Sequence, residues 1–378
     1  MNRPDELLRK AVHDLAGTPQ LPADLVTHAI LGGRRIRRQR RAATALGAMV
    51  AVIALATPFI WLHPRSAPSV TAPDPTAAEL RVLPPPDDNW RDAPLELPGG
   101  WVVTGATSTG GPASDGLVLD RSQNRYVKVD KYEETWAAPR GRFAAVLDHD
   151  RPGDVGLLDV PTGKVRWVRT GQLTLNPEWS PDGTRLALTL LDKETGSSSL
   201  GVLSVDGSFQ TFPVDTSSGW ANRGPGQYLC TDYCLFTWMP DGKQVALQQT
   251  DPAVPRTESK PHARRGLQLF SADTGKPTRF VPARGDAAGP YSWSPNGRLV
   301  VIKGQEATQL VEVDSGRVVR DLPTIDLNSA TLVWVAAERL LLISAGHATL
   351  LDPTGHPLER RDLPPELTGL RIAVAPSA

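Results

Sequence analysis

The sequence predicts an all-β repeat fold, and two observations carry that expectation. A ten-residue phrase recurs as Trp179-Ser-Pro-Asp-Gly-Thr-Arg-Leu-Ala-Leu188, Trp238-Met-Pro-Asp-Gly-Lys-Gln-Val-Ala-Leu247 and Trp293-Ser-Pro-Asn-Gly-Arg-Leu-Val-Val-Ile302. A second signature, an apolar run closed by a reversal such as Asp273-Thr-Gly275 or Asp314-Ser-Gly316, trails the copies. Weaker versions of the first phrase begin at Trp136 and Trp334, so the tryptophans stand 43, 59, 55 and 41 residues apart. A period of that size is the mark of a repeat architecture.

Each phrase encodes a strand, a tight turn and a second strand. Proline pre-sets φ for the first turn position, Asp or Asn tolerates the next, and Gly supplies a positive φ without steric cost. The alternating Leu186 and Leu188 suit a pleated strand with a buried face. The trailing signature adds a second hairpin, and two hairpins per period make four antiparallel strands, one blade of a β-propeller. The tryptophan then serves as a large apolar wedge between adjacent blades. Trp101 to Val129 supplies a poorly marked unit upstream, giving six blades over 91–378. Seven blades is the alternative, because Leu370–Ala375 reads either as a closing strand or as the remnant of another blade.

The phrase Trp-Ser-Pro-Asp-Gly, an apolar strand and an Asp-Thr-Gly hairpin together resemble the TolB-like propeller blade, a relative of WD-repeat propellers. That resemblance covers roughly 135–360. It implies a propeller, and it leaves function open, because such propellers serve as scaffolds, binding modules and enzyme caps.

Three segments precede the propeller. Residues 1–41 form a basic, helical tail: Leu8, Ala11, Val12 and Leu15 share one helical face, and Arg34–Arg41 holds six arginines in eight residues. Ala42–Leu62 is a run of 21 uncharged, mostly apolar residues, long enough as a helix to cross the roughly 30 Å of a bilayer core. The arginines ahead of it fix the amino terminus in the cytoplasm and export the rest. A signal peptide cleaved near Ala54-Leu-Ala56 is the rival reading. Residues 63–90 are a Pro-rich linker. The tail also resembles amino-terminal segments of actinobacterial membrane proteins that accompany sigma factors, although it lacks the cysteines of their zinc-associated type. The resemblance implies a cytoplasmic regulator as a partner of 1–41. No basic run comparable to 34–41 occurs in the outer domain, so nucleic acid is not an expected partner.

Cys230 and Cys234 are the two cysteines, and an exported domain predicts a disulfide between them. No Gly-x-Ser-x-Gly elbow, phosphate-binding glycine loop or His-Glu-x-x-His is present, so the chain is expected not to be an enzyme and to need no cofactor or metal. Asp148–Asp154 is the densest acidic cluster, with calcium as its functional reading and an exposed hairpin loop as the plainer one.

Two long insertions fall at the blade end opposite the tight turns. Pro213–Tyr233 carries Trp220, Arg223, Tyr228 and Tyr233; Thr250–Arg265 carries Arg256, Lys260, His262, Arg264 and Arg265. Long loops on a rigid scaffold concentrate binding residues, and Trp, Tyr and Arg are common anchors. These residues form the candidate binding face for a protein or small-molecule ligand. The sequence therefore predicts a single-pass membrane protein whose extracytoplasmic propeller binds, scaffolds or senses. The alternative is a propeller enzyme of lyase or lactonase type, working at the tunnel mouth.

Overall fold

The structure is a computed structural model that describes residues 80–108, 116–192, 198–214, 235–250, 263–287, 289–304, 307–327, 330–344 and 346–377. The tail, the apolar run 42–62 and most of the linker lie outside these residues. Among the described residues no helix is long and apolar enough to cross a membrane.

The unit from Ala77 onward is an all-β propeller of six sheets. Strands β1 (Arg81–Val82) and β2 (Glu96–Leu97) precede β3 (Trp101–Thr107), β4 (Gly116–Asp120) and β5 (Arg125–Val129) of the first blade. The second blade is β6 (Glu134–Ala137), β7 (Phe143–Leu147), β8 (Asp154–Asp159) and β9 (Lys164–Arg169); the third is β10 (Leu173–Trp179), β11 (Arg185–Leu191), β12 (Ser198–Ser204) and β13 (Phe209–Pro213). The fourth is β14 (Thr237–Trp238), β15 (Gln244–Thr250), β16 (Arg264–Ser271) and β17 (Pro277–Val281), and the fifth is β18 (Asp286–Ala287), β19 (Leu299–Lys303), β20 (Thr308–Glu312) and β21 (Val318–Leu322). The sixth is β22 (Thr331–Ala336), β23 (Arg339–Ser344), β24 (His347–Leu351) and β25 (Pro357–Asp362), and β26 (Arg371–Pro376) ends the chain. Within blades two to six the strands pair antiparallel in chain order.

The last strand closes the ring. Gly105 and Ala106 of β3 pair with Val118 and Leu117 on one edge and with Ala373 and Ile372 on the other. Strand β26 is therefore the innermost strand of the first blade, contributed by the opposite end of the chain. Of the two readings of Leu370–Ala375, the closing strand is the one observed, and the blade count is six. Inside the stretch expected to be linker, β1 adds a parallel outer strand to β25 through Arg81↔Glu359 and Val82↔Arg360.

The turns behave as their residues dictate. In the third blade Gly183 adopts φ +72°, and a Cβ there would lie 2.5 Å from the Arg140 carbonyl oxygen of the preceding blade. Ser180 Oγ donates to Asp182 Oδ1 at 2.5 Å and accepts from the Arg185 amide at 3.0 Å, which locks the Ser-Pro-Asp-Gly reversal.

Packing explains why the repeat is needed. The buried apolar residues fall into six clusters, one at each contact between successive blades. Trp179 packs with Ala145, Val155 and Leu157 of blade two and Leu186 and Leu188 of its own blade. Trp238 packs with Ala187, Leu200 and Val202 of blade three, Trp293 with Ala246, Leu267 and Leu269 of blade four, and Trp334 with Val301 and Leu310 of blade five. One remaining cluster joins Val118 and Val129 to Ala144, Val146 and Leu158 across blades one and two. The other joins Val333 and Leu341 to Val102, Val103 and Tyr126 across blades six and one. Because each blade lies between two others, its middle strands are buried on both faces: Leu186 to Leu190 are all inaccessible, whereas alternation predicts a single buried face.

Two of the wedges also staple blades by hydrogen bonds. The indole N–H of Trp179 donates to the Trp136 carbonyl at 2.7 Å, and that of Trp238 donates to the Glu178 carbonyl at 2.9 Å. Arg185 extends the second staple, stacking over the Trp238 ring at 5.1 Å and reaching Asp273 Oδ1 at 2.6 Å.

Candidate functional site: the axial cavity

Residues of blades one, two, three, five and six leave a cavity of about 160 Å³ around the axis. Its wall is supplied by Thr104 and Thr107 of β3, Thr135 and Trp136 of β6, Glu178 of β10, Tyr291 of blade five, Val333 of β22, and Arg371 and Val374 of β26. Arg371 and Thr331, the first residues of β26 and β22, also line it. The cavity thus reaches the end of the propeller where the chain enters each inner strand, the end that also carries the blade-to-blade connections. Toward the other end Tyr291 packs edge-on against Trp101, ring centres 4.8 Å apart, and Trp101 pairs with Pro376 at the far end of β26. Of this pair, Tyr291 lines the cavity.

The repeat itself places the polar residues. The position before each wedge tryptophan is occupied by Thr135, Glu178, Thr237, Ser292 and Val333 in blades two to six. Glu178 is the only ionisable group in that series. Its Oε1 accepts hydrogen bonds from Thr237 Oγ1 at 2.8 Å and from the Trp238 amide at 2.7 Å. Oε2 takes no hydrogen bond from the described residues and lies 3.8 Å from where a Cβ of Gly289 would stand. Glu178 is part-buried and belongs to the cavity wall. Burial outweighs the two hydrogen bonds and raises its pKa from the usual 4.5 to about 7.

The hydroxyls around it are unsatisfied. Thr104 and Thr135 belong to the wall, and Ser292 stands at the equivalent position of blade five; the three hydroxyl oxygens are buried and have no hydrogen-bond partner among the described residues. Native structures leave few buried polar atoms unpaired, so a cluster around one cavity is a feature that needs a cause. At the rim Arg371 lies over the Trp136 ring, 3.2 Å from its centre, and 3.9 Å from Glu134 Oε2, which also accepts from the Trp136 indole N–H at 3.2 Å.

Most of the face expected from the sequence lies outside the described residues: Trp220, Arg223, Tyr228, Cys230, Tyr233, Cys234, Arg256, Lys260 and His262. Arg264 and Arg265 are described, at the start of β16. Arg264 is bound to Asp286 of the next blade, Nε to Oδ1 at 2.7 Å, with 7% of its side chain exposed. Arg265 is exposed and stacks over Phe280 of its own blade at 5.0 Å. The acidic loop 148–154 is an exposed turn in which Asp148 Oδ1 accepts from the Asp150 amide and Asp154 pairs with Arg151 at 3.4 Å. No three His, Cys, Asp or Glu side chains gather into a metal-binding group among the described residues.

No family model and no curated protein matches the chain. Solved structures do. TolB from Acinetobacter baumannii is 15% identical, over 74% of this chain and 67% of that one, with a TM-score of 0.45. Hydrazine synthase from Kuenenia stuttgartiensis is 14% identical, over 69% and 78%, at 0.40. Dihydro-heme d1 dehydrogenase NirN is 20% identical, over 80% and 62%, at 0.39. At these values the likeness assigns no activity and no ligand to this chain. It does correct one expectation. The absence of hydrolase and nucleotide motifs predicts a chain that is not an enzyme; two of these similar structures are of enzymes, which stands against that expectation without assigning this chain an activity.

Proposed function

We propose that this chain is a ligand-binding β-propeller, held at the outer face of a membrane by residues 42–62, with its binding site in the axial cavity. One observation carries the site: a cavity lined from five of the six blades whose wall includes the Glu178 carboxyl, with Oε2 taking no hydrogen bond from the described residues. The membrane placement rests on the apolar run and the arginines before it.

Ligand binding to the folded chain raises its unfolding temperature by mass action. Fractionated small-molecule extracts are expected to stabilise the wild type and to act far less on Glu178→Ala. Fractions that stabilise both equally would move the site away from the cavity. A reporter fused after Ala378 is expected to be active only outside the cytoplasm; activity inside would overturn the topology.

A second reading is favoured by Glu178 alone. A carboxyl that titrates near pH 7 is suited to general acid–base chemistry. An enzyme of this kind would act on its guest in the same cavity, and Glu178→Gln would remove turnover while leaving the guest bound.

A further inference from the structure

We propose that residues 80–97 are a releasable strap that keys the seam between blades six and one, and that its release opens the wall of the axial cavity. The seam needs a key because the repeat does not supply one. Each blade contact from two–three to five–six holds a repeat tryptophan, Trp179, Trp238, Trp293 or Trp334. The inner strand of blade one, β26, has none. Trp90, Leu95 and Leu97 fill that contact instead, among Leu341, Ile343 and Ala348 of blade six and Val103, Leu119 and Tyr126 of blade one. Trp90 is 6% exposed, and its ring lies 5.3 Å from that of Tyr126.

Few directional bonds hold the strap down. At its start β1 pairs with β25 over Arg81 and Val82 alone, and the Leu83 amide donates to the Arg360 carbonyl at 2.8 Å. Pro84, Pro85 and Pro86 follow and have no amide hydrogen to give. Arg81–Glu359 at 3.9 Å and Arg91–Glu366 at 3.5 Å both involve exposed arginines and add little. At its end β2 pairs with β3 over Glu96 and Leu97. A segment held mainly by apolar contact, with few ladder bonds, opens before the whole fold does.

The same contacts lead to the cavity. Ala106, Val333 and Val374 belong both to the seam cluster and to the cavity wall. The Leu95 amide donates to Tyr126 Oη at 2.9 Å, and that hydroxyl donates to the Val103 carbonyl at 2.7 Å, next to the wall residue Thr104. Leu97 pairs with Trp101, which packs on the wall residue Tyr291. Release therefore removes the packing behind the wall on the seam side and lets water reach the cavity.

A proton links the two states. Burial holds the Glu178 carboxyl at about 7, and a wetter cavity lets it ionise more easily. The released state, having the lower pKa, is favoured as pH rises, and the docked state is favoured as pH falls. Among the described residues the other ionisable groups at the wall are Arg371 of β26, beside Glu134 of β6, and Tyr291 of blade five. Tyr291, pushed up to about 12 by burial, stays neutral throughout. A fall of about one unit in the Glu178 pKa makes release about tenfold easier at pH 8 than at pH 5.

Amide hydrogen exchange on the full-length chain tests this at Leu83, Leu95 and Val103, between pH 5 and pH 8 and corrected for the intrinsic effect of pH. The wild type is expected to show one opening common to these amides, easier than global unfolding and about tenfold easier at pH 8 than at pH 5. Glu178→Gln is expected to keep the opening and lose its pH dependence. Trp90→Ala is expected to raise the opening at least about tenfold at every pH, with amides of β15 and β16 exchanging as in wild type. Strap amides that exchange only through global unfolding overturn the strap. An opening that is flat with pH in the wild type, or equally steep in Glu178→Gln, overturns its link to the cavity. No ligand enters any of these readouts, so the binding role of the cavity stands or falls separately.

Discussion

The clearest consequence of the axial cavity is a pH dependence of stability that belongs to one side chain. Enclosure raises the Glu178 carboxyl from 4.5 to about 7 in the folded chain. Between those two values the folded state keeps a proton that the unfolded state has released. The contribution of Glu178 to stability is therefore greatest below about pH 4.5, declines as pH rises toward 7, and is level above that. At 1.36 kcal/mol for each pKa unit, the decline attributable to Glu178 amounts to about 3 kcal/mol. Glu178→Gln removes the titration while keeping the acceptor for Thr237 and Trp238. The stability of this variant relative to wild type should thus grow in its favour by about 3 kcal/mol between roughly pH 4 and pH 8. Urea unfolding of both proteins across that range gives the difference directly and cancels every other titrating group. A difference that is flat with pH, or one that moves in favour of wild type as pH rises, would refute the reasoning.

Three other outcomes follow from the same geometry. Thr135→Val removes a buried hydroxyl that has no partner among the described residues, so it should leave the propeller at least as stable as wild type by chemical denaturation. Trp179→Phe should lower stability by about 1 kcal/mol more than Trp293→Phe, because the Trp179 indole N–H is bonded to the Trp136 carbonyl and that of Trp293 has no partner among the described residues. A chain ending at Gly369 lacks β26 and exposes the inner edge of β3; it should lose the single cooperative unfolding transition seen by circular dichroism and calorimetry.

The fold was largely legible because each blade repeats the same local chemistry. Proline, Asp or Asn, and Gly at fixed offsets from a tryptophan specify the turn wherever they occur, and the period of the tryptophans specifies the stacking. What local chemistry does not carry is closure: Arg371–Pro376 is an ordinary short apolar run, and only its pairing with β3 distinguishes a closing strand from a seventh blade. Burial on both faces was hidden for a related reason, since alternation describes a strand and not the neighbour that covers its second side. The cavity shows the same limit. A search for binding residues among long, aromatic and basic loops passes over Glu178, which lies inside a conventional repeat. The signal was nevertheless present, in the column Thr135, Glu178, Thr237, Ser292 and Val333, where one blade substitutes an ionisable residue for a small or apolar one. Arg264 illustrates the converse: a basic residue beside a long loop, whose charge is neutralised by Asp286 of the next blade through a contact that no sequence spacing announces.

The central claim is that the axial cavity is built to receive a polar guest, and crystals of the propeller soaked with a panel of small polar fragments test it most directly. Fragments are expected to collect in the cavity, with a polar atom within hydrogen-bonding distance of Glu178 Oε2. A cavity that stays free of fragments while they occupy the outer strands or the loop face would contradict the account.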